Sequence, residues 1–256
     1  MPLPKATLVF VSGAFHDQDI FEPVIPWLRR TGHPLDFNIK LPSVGNNSAS
    51  SLQEDADTIR NRVLDVLDKV DGGNNVVMVL FSYAAVPAVQ GLVGLDQKTR
   101  GPGKTAILKF LFISCNMPKI GESLLKQFEN WAKLQDLKTD PSDGVPTFIA
   151  GPDVFYNGLD EEIKAHFYTE LKTQSAASLL DPITQAAYLD IPSWYLVTKL
   201  DNIMPRDFQI LCTKVIGEKL QNVEEIETGH SSFWIRPDRV VDYILRGARS
   251  VEKDLS

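Results

Sequence analysis

The segment VVMVLFSYAAVPA sets Ser82 directly behind an apolar run of strand character and directly ahead of a helix-forming stretch. A serine at such a junction sits on a sharp strand-to-helix turn, which lifts its hydroxyl clear of the backbone. Far downstream, YLVTKLDNIMP closes another apolar run at Leu200 and puts Asp201 at a loop mouth. Farther still, EEIETGHSSFWIRPDRV carries His230 on a Gly-preceded loop between a strand pattern and a helix pattern. A serine hydroxyl is a weak nucleophile unless a base takes its proton during attack. Histidine titrates near neutrality, so it can take that proton and return it to a leaving group. A carboxylate on the far ring nitrogen fixes the tautomer and stabilises the imidazolium. The bland alternatives are a lone serine after a strand, a helix-capping loop histidine and a surface turn at Asp201–Asn202. Order and placement together favour the other reading: a Ser82–His230–Asp201 triad for acyl transfer.

The same junctions indicate where charge on a reacting oxygen would be held. The N–H of Tyr83 opens the helix behind Ser82 and is placed to donate to an oxyanion. The first apolar run ends in VSGAFHD, where Gly13 lets backbone approach a substrate. The N–H of Ala14 is the expected second donor, ahead of that of Phe15. His16 reads as a structural histidine of the loop. Phe15, Trp131, Phe155, Tyr156 and Trp194 are the candidate walls of an apolar binding site, against the plainer reading that such aromatics pack on one another.

Positioning these loops takes parallel strands joined by crossover helices, and the chain alternates accordingly. Strands are expected over residues 6–11, 35–41, 76–80, 105–115, 193–200 and 223–226, and helices over 21–30, 55–70, 83–95, 206–220 and 238–248. Within 55–70, Ile59, Val63, Val66, Leu67 and Val70 recur at helical spacing with Asp, Arg and Lys opposite. From about 116 to 190 the strand pattern lapses, and helical segments such as 123–138 and 160–172 take over. The expectation is one α/β domain with a mainly parallel six-stranded sheet flanked by helices. Residues 1–116 and 191–256 would form its core, and 117–190 a helical cap inserted after the fourth strand, over the edge where such sheets bind ligands.

Composition narrows the partners. Hydrophobic residues make up 43% of the 256, ample for a buried core, and a net charge of −7 leaves no basic stripe to displace phosphate counterions. Nucleic acid is therefore not expected. The most apolar stretch, residues 107–115, is interrupted by Lys109 and is far too short to span a bilayer. The N-terminal MPLPKATLVFVSG enters a strand without a secretory pattern. Cys115 and Cys212 lie far apart, in apolar runs and without metal-site spacing, which points to a reduced, cytoplasmic compartment. No metal or organic cofactor is expected, and the chain would act as a monomer or homodimer.

Taken together, VFVSGAFHD, the PSVG loop, the LFSYAAVPA turn, TKLDNIMPRDFQ and ETGHSSFWIRP resemble the α/β-hydrolase superfamily across nearly the whole chain. More closely, they look like its fungal branch near plant methylesterases and hydroxynitrile lyases. That resemblance implies Ser82, Asp201 and His230 as the triad and Ala14 with Tyr83 as the oxyanion hole. It also implies a fungal cap over DVFYNGLDEE and QSAASLLDPITQAAYLDIPSWYLV, and an ester or lactone of secondary metabolism as substrate. The turn departs from the usual G-x-S-x-G. Leu80, Phe81, Ala84 and Ala85 stand where relatives mostly carry Gly, His, Gly and Gly, and Leu80 is expected to crowd the bend or fill a pocket wall. Ser231 follows the histidine where the lyases need lysine, which argues against cyanohydrin cleavage. Ser12, where those lyases often have threonine, does not restore the idea.

Two rival readings fit the same residues. One is a lyase, isomerase or cyclase using His230 as base without an acyl-enzyme, which Leu80 and the alanine-rich turn favour. The other is a non-catalytic ligand-binding protein, which the intact triad counts against.

Overall fold

The computed structural model describes residues 5–45, 49–70, 72–128, 137–139, 146–148 and 152–252. The strands are β1 (Thr7–Val11), β2 (Leu35–Asp36), β3 (Val76–Phe81), β4 (Ile107–Ile113), β5 (Leu137–Thr139), β6 (Pro146–Phe148), β7 (Ser193–Thr198) and β8 (Leu220–Ile226). Six of them form one sheet in the order β2-β1-β3-β4-β7-β8, parallel throughout. The central strands read as continuous apolar runs because helices cover both faces.

The helices are α1 (Ile25–Arg29), α2 (Leu52–Leu67), α3 (Ala85–Gly91), α4 (Gln97–Arg100), α5 (Leu124–Phe128), α6 (Asp153–Tyr156), α7 (Glu161–Glu170), α8 (Ala176–Leu180), α9 (Arg206–Ile216), α10 (Ser232–Ile235) and α11 (Pro237–Glu252). Side chains alternate across β3, so Val76, Met78 and Leu80 meet Ile59 and Val63 of α2, α3 and Phe208 of α9. Val77, Val79 and Phe81 face the other way, onto Leu28 of α1 and Val240 and Ile244 of α11. Each such fully buried aliphatic contributes roughly 1.5–3 kcal/mol.

Helix α2 begins three residues before the apolar spacing predicts. Ser51 and Glu54 form a capping box there, satisfying amides that the spacing of Ile59 and Val63 does not report. The first helix is also displaced. A 3-10 turn at Gln18–Phe21 comes first and α1 starts at Ile25, with Pro26 in its first turn. The strand expected over 35–41 pairs only at Leu35 and Asp36, as an edge strand that then peels away.

The described residues between β4 and β7 hold α5 to α8 and an antiparallel pair, Leu137↔Phe148 to Thr139↔Pro146. The lapse of strand pattern over 116–190 is thus incomplete: of the helix expected over 123–138, α5 covers Leu124–Phe128, whereas Leu137 stands in a strand. The turn-rich TDPSDGVP between the two strands is the signal for it.

Candidate active site

Parallel strands all finish at one edge, so the loops beyond β1, β3, β4, β7 and β8 converge there. Among the described residues, the non-glycine positions with left-handed backbone are Phe15 (φ 65°), Ser82 (φ 55°) and Ser114 (φ 49°), beyond β1, β3 and β4 respectively. Such backbone is strained for an L-residue and persists only where its surroundings over-determine it. Three at one edge mark the rim as the place where the fold stores strain.

Ser82 follows β3 directly and opens the 3-10 turn Ser82–Ala84 that leads into α3. Its Oγ lies 3.0 Å from His230 Nε2, and His230 Nδ1 lies 2.7 Å from Asp201 Oδ2. The carboxylate can only accept, so Nδ1 carries the ring proton and Nε2 is left to accept from the serine hydroxyl. His230 and Asp201 are both buried, and Ser82 is half-buried. The three residues expected to meet do meet.

Asp201 is held from several sides. Its Oδ1 accepts from the N–H groups of Ile203 and Met204, both at 2.9 Å. Its Oδ2 accepts from Ser114 Oγ at 2.5 Å and Thr198 Oγ1 at 2.8 Å, besides His230. Burial alone would raise its pKa, but the charge and hydrogen bond of His230, with those of Ser114 and Met204, outweigh it and hold the carboxyl below the usual range. Ser114 and Thr198 were not legible as site residues. The cue available was that Ser114, like Ser82, directly follows a strongly apolar run.

On the other side of Ser82, a Cβ on Gly13 would come within 2.9 Å of the Ser82 Cβ, so glycine is what lets the first loop approach. Leu80 does not crowd the bend. Its side chain joins the core beneath α2 and α3, and the left-handed turn at Ser82 is kept.

His16 is buried. Its Nδ1 lies 2.6 Å from the Ala14 carbonyl, which can only accept, so Nδ1–H donates and Nε2 accepts from the Tyr156 hydroxyl at 2.8 Å. Burial, aided by nearby His230 and opposed by the Ala14 bond, takes its pKa down to about 4. It is a neutral loop histidine, as expected. Phe155 packs its ring 5.9 Å from that of His230 and 5.9 Å from that of Phe15. Tyr156 spends its hydroxyl on His16.

The segment around α6 is tied to the loops of the acid and the base. Ser231 Oγ donates to the Phe155 carbonyl at 3.0 Å, Asn157 Nδ2 to the Leu200 carbonyl at 2.6 Å, and Asn202 Nδ2 to the Asp153 carbonyl at 2.9 Å. Trp194 is elsewhere. It stands near the start of β7, at the opposite edge from Asp201, with the Lys109 ammonium 4.7 Å from its ring and the Tyr243 ring at 6.1 Å. It packs under α11 and is no wall of the site. Trp131 lies outside the described residues.

Among the described residues, no group of three or more His, Cys, Asp or Glu side chains is disposed to hold a metal ion. No helix among them is long and apolar enough to cross a membrane.

Fold and site together describe one class, a parallel α/β sheet with a serine at a strained turn and a buried acid–base pair beside it. A model of the alpha/beta hydrolase family matches residues 8–243, and the chain belongs to that family of hydrolase-type enzymes. It is similar to the probable hydrolase R7 of Phoma sp., 28% identical over 94% of this chain and 98% of that one. It is also similar to the alpha/beta hydrolase nvfD of Aspergillus novofumigatus, 26% identical over 95% and 97%. Among solved structures, an extracellular alpha/beta-hydrolase from a Paenibacillus species, described as sharing homology with tobacco salicylic acid binding protein 2, superposes with a TM-score of 0.75. That match covers 94% of this chain and 98% of the other at 16% identity.

Proposed function

We propose that this chain is a serine hydrolase of small or medium apolar carboxylic esters or lactones, working through an acyl-enzyme on Ser82. One observation carries the reading: a single imidazole reaches Ser82 Oγ at 3.0 Å and the Asp201 carboxylate at 2.7 Å, at a turn whose backbone is left-handed. In the proposed cycle, Ser82 attacks the carbonyl as His230 Nε2 takes its proton, and Asp201 steadies the imidazolium. The N–H groups of Ala14 and Tyr83 receive the oxyanion; among the described residues the Ala14 N–H has no acceptor of its own. His230 then protonates the departing alcohol, deprotonates water for attack on the acyl group, and returns the proton to Ser82 as the acid leaves.

Phe15 and Phe155 are the walls the reading assigns beside the scissile bond. Residues 117–190 are assigned as a cap on a core of 1–116 and 191–256. The names of the Phoma and Aspergillus relatives, both hydrolases, support the reaction class, and an ester or lactone of secondary metabolism is the substrate class put forward.

The test is a panel of aryl esters, methyl esters and lactones assayed with wild type and Ser82→Ala, alongside labelling by a fluorophosphonate. Ser82 is expected to be labelled, and its removal to cut turnover by ~10⁴ or more. Equal rates for the two proteins on every substrate would end the serine mechanism. An unlabelled Ser82 with retained turnover would favour base chemistry by His230 alone.

A further inference from the structure

A second buried polar group lies beside the proposed triad, and the reaction as drawn does not use it. Asp55 of α2 is fully buried. Its Oδ1 accepts from the Ser43 N–H at 2.9 Å, and its Oδ2 from Ser43 Oγ at 2.5 Å and the Tyr83 hydroxyl at 2.7 Å. Ser43 Oγ in turn accepts from Gln174 Nε2 at 2.7 Å, and Gln174 Oε1 faces the Phe15 N–H at 3.4 Å. Gln174, Ser43 and Tyr83 are all buried.

The Phe15 N–H can only donate, so the Gln174 amide turns Oε1 towards it and Nε2 towards Ser43 and Ser178. With its lone pair taken by Gln174, the Ser43 hydroxyl sends its hydrogen to Asp55, as the Tyr83 hydroxyl does. The Ser43 N–H and the Ser43 and Tyr83 hydroxyls all point at one carboxylate, an arrangement that suits its ionised form. Burial holds the Asp55 carboxyl above its usual range, and the bonds from Ser43 and Tyr83 offset only part of that rise.

The two ends of this chain are what make it more than a buried network. One end is the side chain of Tyr83, the residue after Ser82. The other is the amide of Phe15, the residue after Ala14, whose carbonyl is also held by the Lys172 N–H at 3.0 Å. The peptide between Ala14 and Phe15 is therefore gripped on both sides, by His16 at its carbonyl and by Gln174 at its N–H.

We infer that Gln174, Ser43, Asp55 and Tyr83 form a positioning network that sets the separation of the two backbone amides receiving the oxyanion, with the Asp55 carboxylate organising it. This rests on the acyl-transfer reading above. The network touches neither substrate nor reacting atoms, so its effect is on the geometry of the hole. A displacement of the order of 1 Å at a reacting centre costs about 10²-fold in rate, which gives the scale.

The experiment compares Asp55→Asn, Tyr83→Phe and Gln174→Met with wild type. It measures the rate of Ser82 labelling by a fluorophosphonate, kcat and KM on an aryl ester, and the inhibition constant of an aryl trifluoromethyl ketone, which binds as a tetrahedral oxyanion. Expected are losses of about 10- to 100-fold in labelling rate and kcat, a matching weakening of the ketone, and a KM within about twofold. Asparagine at 55 keeps the shape but turns a donor towards hydroxyls that already donate. Tyr83→Phe removes a single oxygen and keeps the question open to test should Asp55→Asn not fold. The double variant Tyr83→Phe/Gln174→Met should lose less than the product of the single losses, because both act through one carboxylate. Unchanged labelling and ketone binding in Asp55→Asn or Tyr83→Phe, whatever happens to the melting temperature, would overturn the network. Wild-type protein that fails to label at Ser82 would instead overturn the acyl-transfer reading, and the network with it.

Discussion

Asp201 is the residue whose surroundings say most about the site. A surface carboxylate in a turn would face water, whereas this one accepts from two backbone amides, Ser114, Thr198 and His230. Asp201→Asn keeps the shape but cannot hold the His230 tautomer, so the Ser82-dependent rate should fall by ~10⁴ in a steady-state ester assay. Gly13→Ala should also lower that rate, because the new methyl meets the Ser82 Cβ at 2.9 Å and one of the two loops must give way. The residues that could be read from sequence alone were those announced by their own segment: Ser82 and Asp201 each follow an apolar run, and His230 a Gly-bearing loop after a strand pattern. Ser114 acts from the loop of the neighbouring strand β4, a relation that only the strand order supplies, and Thr198 from the last position of the strand that leads to Asp201. Trp194 failed for the complementary reason. Its place beside the helical middle of the chain says nothing about which edge of the sheet it stands on, and a strand's first residues stand at the far one.

At the scale of elements, the central strands were legible because burial on both faces leaves apolar runs, unbroken in β3 and interrupted only by Lys109 in β4. Ends and edges were not. Strand β2 stops after Asp36, which an ion pair to Arg62 at 2.7 Å holds, and Phe37 turns to stack on Phe10 with ring centres 4.5 Å apart. The packing of α2 on α3 rests on a position that sequence marks only as a glycine. A Cβ on Gly91 would lie 2.4 Å from the Ala56 carbonyl oxygen, and backbone cannot swing aside as a side chain does. Gly91→Ala is therefore expected to destabilise the protein by about 1–3 kcal/mol, read as a lower urea midpoint with an unchanged slope.

For the molecule as a whole, acid is the condition to watch. His16 is held neutral by burial, with its pKa taken from 6.5 to about 4. Its contribution to stability is complete above about pH 6.5 and is lost progressively as pH falls towards 4, because over that window the unfolded chain binds a proton the native state refuses. The loss amounts to roughly 3 kcal/mol. His16→Asn should flatten melting temperature against pH across that window, and a wild-type profile flat between pH 6.5 and 4 would contradict the assignment. Asp201 acts in the same direction at lower pH, since its depressed pKa adds stability above the unfolded carboxylate range that acid removes. The ties around α6 carry a different consequence. Because Ser231, Leu200 and Asn202 all hold residues 153–157, that stretch cannot lift without dragging the loops of His230 and Asp201 along. Grafting this short helix from a cousin would therefore shift the loops that carry Asp201 and His230 along with it.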